Sequence, residues 1–195
     1  IELEEKTGSF TKGFKEFHEG EPAEKYFSAQ EGYAVDLDKN GEVKVKDTDW
    51  LTLQQMINNA ASGDKITLTK DYEAGDADTS LVIPEGKTLT IDLHGYKLNG
   101  SGELKGGTVL KVGNNAILTI EDNYELPEGE SEENAERYEG VITGGTASAI
   151  VNNGTLTIKG GKITGNKVGK GGGINNCGTM TVTGGRIKSN AATEE

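Results

Sequence analysis

Gly154-Thr-Leu-Thr-Ile-Lys-Gly-Gly-Lys-Ile-Thr-Gly-Asn166 aligns without gaps to Gly178-Thr-Met-Thr-Val-Thr-Gly-Gly-Arg-Ile-Lys-Ser-Asn190, at an offset of 24 residues. Self-similarity at a fixed period marks a chain built by stacking one small unit on the next. Three short extended pieces fit inside one unit: Thr155 to Ile158, Lys162 to Thr164 and Gly173 to Asn175, separated by Gly or Asn. Three strands in each 24-residue turn predict an all-β chain wound as a parallel β-helix, with rungs about 4.8 Å apart. Because side chains alternate faces along a strand, Leu156 and Ile158 are expected inward and Thr157 outward.

Weaker copies of that central triplet lie upstream, at Ile66-Thr67-Leu68, Leu89-Thr90-Ile91 and Leu118-Thr119-Ile120, and Met180-Thr181-Val182 is the last. Successive triplets are 23, 29, 38 and 24 residues apart, so the unit carries insertions. The largest, 121–139, holds nine Asp or Glu, one Arg and a Pro-Glu-Gly turn. With little to bury, it reads as a solvated excursion that accounts for most of the net charge. Stacking the triplets in register would align Thr67, Thr90, Thr119, Thr157 and Thr181 in one outward column, with Thr88, Thr155 and Thr179 in a second.

Composition agrees. Glycine accounts for 29 of 195 residues, and 22 of them fall between Gly86 and Gly185 among Val, Ile, Leu and Thr, as many short strands joined by tight turns require. The balance of 32 acidic to 20 basic residues gives a net charge of −12, which opposes binding to nucleic-acid phosphates or anionic membranes. No apolar run approaches the roughly 18 residues of a membrane span, so membrane insertion by this chain is not expected. Cys177 is the only cysteine, which leaves no internal disulfide and no thiolate zinc site.

A stack of rungs needs its ends covered. Residues 50–61 place Trp50, Leu53, Ile57 and Ala60 at helical spacing, with Asp49 before and Gly63 after, and read as an N-terminal cap helix. The chain therefore divides into residues 1–48, packing on or leading into the repeat, and 49–195, the β-helix with its cap helix. The first segment holds all four Phe, with Phe10, Phe14 and Phe17 on one face of a short helix, and a hairpin from Ala34 to Val45 turning at Lys39-Asn40-Gly41. No cap follows the last unit, so the expectation there is a longer repeat protein or self-association at the open C-terminal rung. Asn152-Asn153, Asn175-Asn176 and Asn114-Asn115 recur ahead of the triplets, where their expected role is turn formation.

The stretch Trp50-Leu-Thr-Leu, with Ala60-Ala-Ser-Gly-Asp-Lys-Ile-Thr-Leu68 and Ile83-Pro-Glu-Gly-Lys-Thr-Leu-Thr-Ile-Asp-Leu-His-Gly-Tyr96, resembles the opening rungs of adhesin-like right-handed β-helix proteins of bacterial surfaces. Gly171-Gly-Gly-Ile-Asn175 and the Ile-x-x-Asn ends at Asn166 and Asn190 are similar to polymorphic membrane protein repeats. The resemblance covers about residues 49–192. It implies a right-handed helix and an extracellular, cell-surface module, often noncatalytic, whose partners are glycans or host-surface proteins.

Parallel β-helices also carry polysaccharide lyases and glycosidases. Continuing the alternation past Ile91 places Asp92 and His94 outward, and stacking sets Glu121 beside Asp92 with Lys159 beyond. Two carboxylates about 5 Å apart suit a retaining glycosidase. The same positions face solvent by default, so the noncatalytic reading is favoured, with Asp92, His94, Glu121 and Lys159 as candidate ligand-binding residues and a carbohydrate-active enzyme as the alternative. Asp36-Leu-Asp-Lys-Asn-Gly-Glu-Val-Lys-Val-Lys-Asp47 has the oxygen-donor spacing of a calcium loop, but Val43-Lys-Val45 alternates as a strand and a hairpin is favoured. The Gly-rich segments lack the Lys-Ser/Thr of a phosphate loop, and neither His18 nor Cys177 has partners for metal or nucleophile chemistry. No cofactor and no metal are expected.

Overall fold

The computed structural model describes residues 2–3, 28–29, 34–37, 43–46, 49–75, 78–101, 104–168 and 172–192. The chain divides into two units, Ile1–Thr52 and Leu53–Glu195. In the first, β1 (Glu2–Leu3) pairs in parallel with β2 (Ser28–Ala29). There too, β3 (Ala34–Leu37) pairs antiparallel with β4 (Val43–Lys46), bringing Val35 opposite Val45. That pairing is the expected hairpin. Its turn, the central donors of the calcium-loop spacing and the segment with Phe10, Phe14 and Phe17 lie outside the described residues.

The second unit is nearly all strand. After the helix α1 (Asp49–Asn59), the chain visits three parallel sheets in rotation. The first sheet collects β5 (Lys65–Thr67), β8 (Thr88–Asp92), β11 (Ile117–Glu121), β14 (Thr155–Ile158) and β18 (Thr179–Val182). The second takes β6 (Tyr72–Glu73), β9 (Lys97–Asn99), β12 (Val141–Thr143), β15 (Lys162–Ile163) and β19 (Arg186–Ile187). The third takes β7 (Thr79–Ile83), β10 (Lys105–Val112), β13 (Ser148–Asn152) and β17 (Ile174–Asn176). A further pair, β16 (Lys167–Val168) and β20 (Ala191–Ala192), is also parallel. Parallel strands cannot be joined by tight hairpins, and here two intervening strands, or three where β16 is included, make each crossover.

Register carries the pattern into packing. Leu89, Leu118, Leu156 and Met180 stack on one another, as do Ile91, Ile120, Ile158 and Val182. The Leu and Ile members of these columns are buried to within 1% exposure. Burying a Leu or Ile side chain contributes about 1.5–3 kcal/mol, so these columns, with Leu98, Ile142 and Ile163 of the second sheet and Leu81, Ile83 and Ile150 of the third, form the core. Met180, Val182 and Ile187 occupy the same inward register and are exposed at the last strands of their sheets. Two glycine positions of the repeat have separate causes. A Cβ on Gly154 would strike the Ala116 carbonyl oxygen, and one on Gly178 the Gly154 oxygen, so strands can approach there only without side chains. Gly161 and Gly185 turn the corner at φ +80° and +75°.

The first triplet departs from expectation. Ile66 pairs with Ile91, Lys65 with Thr90 and Thr67 with Asp92, so Thr67 stands outside the threonine column and Lys65 heads it. A two-residue shift keeps every apolar side chain on its face, which is why alternation alone does not reveal it.

Within Leu53–Glu195, Leu53 and Ile57 of α1 are buried, as the helical spacing predicts. The Gln54 carboxamide donates to Val82 O at 3.0 Å and accepts from Val82 N at 2.6 Å, closing the ladder groups of the edge strand β7. The Lys87 ammonium donates to Ile57 O, Asn58 O and Ala60 O at 2.6–3.1 Å, satisfying carbonyls that a helix C-terminus leaves open.

Asparagine does more than turn the chain. Asn115 takes φ +56°, as a turn residue would. Asn152, however, ends β13 in the buried interior and donates to Asn176 Oδ1 at 2.6 Å, with which it is in register. Asn166 likewise donates to Asn190 Oδ1 at 2.8 Å, accepts from Gly145 N at 2.8 Å and is fully buried. The turn role holds as well, since Asn152 Oδ1 accepts from Gly154 N at 3.2 Å and Asn176 Nδ2 donates to Gly178 O at 3.1 Å, so the same amides both turn the chain and stack from strand to strand.

Candidate functional site

Asp92 and Glu121 end adjacent strands β8 and β11 and are Cα partners, as the repeat predicts. Their side chains part company. Asp92 is not outward but 4% exposed: its Oδ1 accepts from Asn123 N at 2.9 Å and His94 N at 3.1 Å, and its Oδ2 from Asn123 Nδ2 at 3.0 Å. The strand ends at Asp92 and the chain turns, so strict alternation stops there, and the carboxylate folds back to hold the turn amides. His94 is exposed, at φ +50°. Its Nδ1 lies 2.5 Å from Asn123 O, and only an Nδ1–H can donate to a carbonyl, so this contact fixes the Nδ1 proton.

Glu121 is held between two lysines. Lys65 Nζ reaches Oε2 at 2.6 Å and Lys159 Nζ reaches Oε1 at 3.0 Å, while Asn123 Nδ2 adds a bond to Oε2 at 3.2 Å. Hydrogen bonds from Lys65 and Lys159 pull the Glu121 carboxyl down to about 2. The same bond raises Lys65. A glycosidase acid must hold its proton near neutral pH. Glu121 is shifted the opposite way, and Asp92 has its oxygens committed to the turn. The structure thus joins Asp92, His94, Glu121 and Lys159 into one cluster through Asn123, and adds Lys65, which the register of β5 concealed.

The insertion 121–139 is not a free excursion. Asp122 Oδ1 accepts from Gly95 N and its Oδ2 from Gly140 N, both at 2.8 Å, tying the entry of the loop to its exit. Burial pushes the Asp122 carboxyl up against the pull of those two amides. Tyr124 donates to Ala135 O at 3.0 Å, and a 3-10 turn spans Glu132–Arg137. Within that turn, Glu136 accepts from Arg186 Nη1 at 2.5 Å and from Lys188 Nζ at 3.1 Å. Glu139 takes Arg186 Nε at 3.2 Å and Nη2 as a bidentate pair. Glu136 and Glu139 find partners in the last repeat and pin the exit of the loop, while 127–131 is exposed, as a solvated excursion would be. The available signal was the Arg186 and Lys188 pair, where the preceding unit has Lys162 and Thr164.

A groove of about 360 Å³ opens beside the second sheet, lined by Glu73, Asn99, Ser101, Thr146 and Lys167 and floored by glycine backbone. Asn99 Nδ2 donates to Glu73 Oε1 at 3.1 Å, and Ser101 Oγ to Ala74 O at 2.5 Å. Its lining side chains are polar, and none of them is aromatic. Cys177 is exposed, and among the described residues no group of three His, Cys, Asp or Glu is placed to hold a metal ion. No helix among the described residues is long and apolar enough to cross a membrane. The chain matches no family model, no curated protein and no solved structure.

Proposed function

We propose that the three sheets wind as a right-handed parallel β-helix capped by α1, and that the chain is a noncatalytic, adhesin-like module of a bacterial cell surface. In this reading it binds glycans or host-surface proteins through its outer faces, or holds such a site away from the surface as a stalk. The observation that carries the noncatalytic part is the double commitment of the candidate carboxylates: Asp92 to the turn amides and Glu121 to Lys65 and Lys159. What remains outward is a ladder of Thr90, Thr119, Thr157 and Thr181 in register, flanked by charged pairs. Many weak polar groups on a rigid repeat suit multivalent contact with a hydroxyl-rich chain. The polar groove beside Asn99 supports the same class of ligand.

The alternative, a carbohydrate-active enzyme, draws on the adjacency of Asp92 and Glu121 and requires substrate to release one of them from its partners. Binding of the purified chain to an array of bacterial and host glycans tests the proposal. Retention of a glycan family, weakened by Glu121→Gln with Lys159→Gln or by Asn99→Ala, supports it. Silence across the array and across host-surface proteins removes the binding function and leaves the stalk.

A further inference from the structure

The outer face of the second sheet carries an ordered strip of positive charge in a chain whose net charge is −12. Register aligns Lys97, Val141, Lys162 and Arg186 in one column, and Lys188 follows two residues after Arg186. Adjacent strands lie about 4.8 Å apart, so Lys97 and Lys162 sit about 10 Å apart along the column and Arg186 one strand further. Two of the four cations are occupied by the chain itself, since the acidic insertion places Glu136 on Arg186 and Lys188 and Glu139 on Arg186. The side chains of Lys97 and Lys162 have no ion-pair partner among the described residues.

We propose that the Lys97–Lys162–Arg186–Lys188 strip is a binding face for a linear acidic polysaccharide, and that the insertion 121–139 is its exchangeable internal competitor. This rests on the glycan reading above and names the chemical class of ligand. Paired carboxylate contacts with Arg186 are the geometry a guanidinium uses to grip carboxylate or sulfate groups, so Glu139 stands where a ligand anion would sit. Lys97 and Lys162 extend the strip past the contact pairs of Glu136 and Glu139; Lys162 still lies close enough to Glu136 for its charge to help lower that carboxyl, without an ion pair. A longer polyanion can thus engage the free lysines first and then take Arg186 and Lys188 from the loop. The Glu136 pairs with Arg186 and Lys188 are exposed, weak and screened by salt, so they exchange first, whereas the bidentate Glu139 pair is partly buried and yields last; Asp122 keeps the displaced loop tethered at both ends. A folded protein partner fits less well: the column offers Val141 and no aromatic anchor, whereas protein interfaces draw their affinity from buried aromatic and apolar groups.

The experiment compares the parent chain with Glu136→Gln/Glu139→Gln for binding to alginate, heparin, neutral dextran and polyglutamate over a range of salt. The proposal expects the double variant to bind alginate or heparin at least tenfold tighter than the parent. It also expects that gain to vanish when Lys162→Gln and Arg186→Gln are added, and to fall steeply with salt. Alginate alone would indicate carboxylate as the recognised group, and heparin alone sulfate. Equal binding by parent and double variant overturns the competitor role, and polyglutamate bound as tightly as either polysaccharide overturns the glycan assignment. Binding of neutral glycans without acidic ones defeats this inference while sparing the wider glycan reading; no glycan binding at all defeats both. Glu-specific proteolysis of the parent provides a measurement that needs no variant. Acidic polysaccharide should speed cleavage within 125–137, and unchanged cleavage under saturating alginate and heparin contradicts displacement.

Discussion

Asp92 and Glu121 face each other across adjacent parallel strands, yet one carboxylate is buried on backbone amides and the other is clasped by two lysines from opposite sides. Neighbouring acids that would repel if both were free are separated by Asn123, whose side-chain amide bonds to both. The cluster knits together the first three turns of the repeat and the start of the fourth.

Removing Asp92 should therefore damage stability. Asp92→Ala leaves the Asn123 and His94 amides without their acceptor, at a cost of about 1–3 kcal/mol. Asp92→Asn, which keeps one acceptor oxygen, should cost less. Thermal unfolding of the two variants checks the order, and an unchanged Tm for Asp92→Ala contradicts it.

Glu121 makes the fold acid-sensitive in a defined window. Its carboxyl is held at about 2 when folded, against about 4.3 for a free glutamate. A lowered folded pKa gives stability that is fully present above the unfolded value and is lost as pH falls toward the folded one. Glu121→Gln should accordingly have a lower Tm than the parent at pH 6, and the gap should close between about pH 4.3 and 2. A gap that stays constant through that range counts against the clasp.

Close approach of the strands, rather than turn geometry, accounts for Gly154 and Gly178. Their φ angles lie outside the positive region, and a methyl there meets carbonyl oxygens of the preceding turn. Gly154→Ala should destabilise by about 1–3 kcal/mol through overpacking. Gly63→Ala, with open space but φ +101°, should cost through backbone strain instead. Chemical denaturation measures both, and a neutral Gly154→Ala would show that the strands can part without loss.

Core and outer columns should respond differently to truncation. Leu118 is wholly buried, and Leu118→Ala should cost about 2–5 kcal/mol. Thr119→Ala, on the partly exposed face of the same strand, should stay within about 0.5 kcal/mol. The buried Ser80 hydroxyl has no hydrogen-bond partner among the described residues, so Ser80→Ala should leave Tm unchanged or raise it.

Much of the architecture was legible because its causes are local and repeated. The Gly-Thr-Leu-Thr-Ile unit announces strand alternation, and the position of Gly154 and Gly178 is required by approach of neighbouring strands. Helix α1 was readable from the spacing of Leu53 and Ile57 for the same reason. Register at β5 was not, since a slip of two residues preserves the inward face while replacing Thr67 by Lys65 in the column. The burial of Asp92 escaped because it depends on Asn123, 31 residues away and beyond a strand end, where alternation no longer holds. Arg186 and Glu139 are 47 residues apart, and only the folding back of the insertion joins them. Charge composition reads the exposed stretch 127–131 as solvated, which it is, but does not reveal the pairing of Glu136 and Glu139.

The most direct test of a noncatalytic surface is product analysis. A polysaccharide that the chain retains on the array should be recovered at its original length after prolonged incubation, with no new reducing ends or unsaturated termini. Shortened product that disappears with Asp92→Asn or Glu121→Gln, while those variants stay folded and bound, would contradict the account and make the cluster an active site.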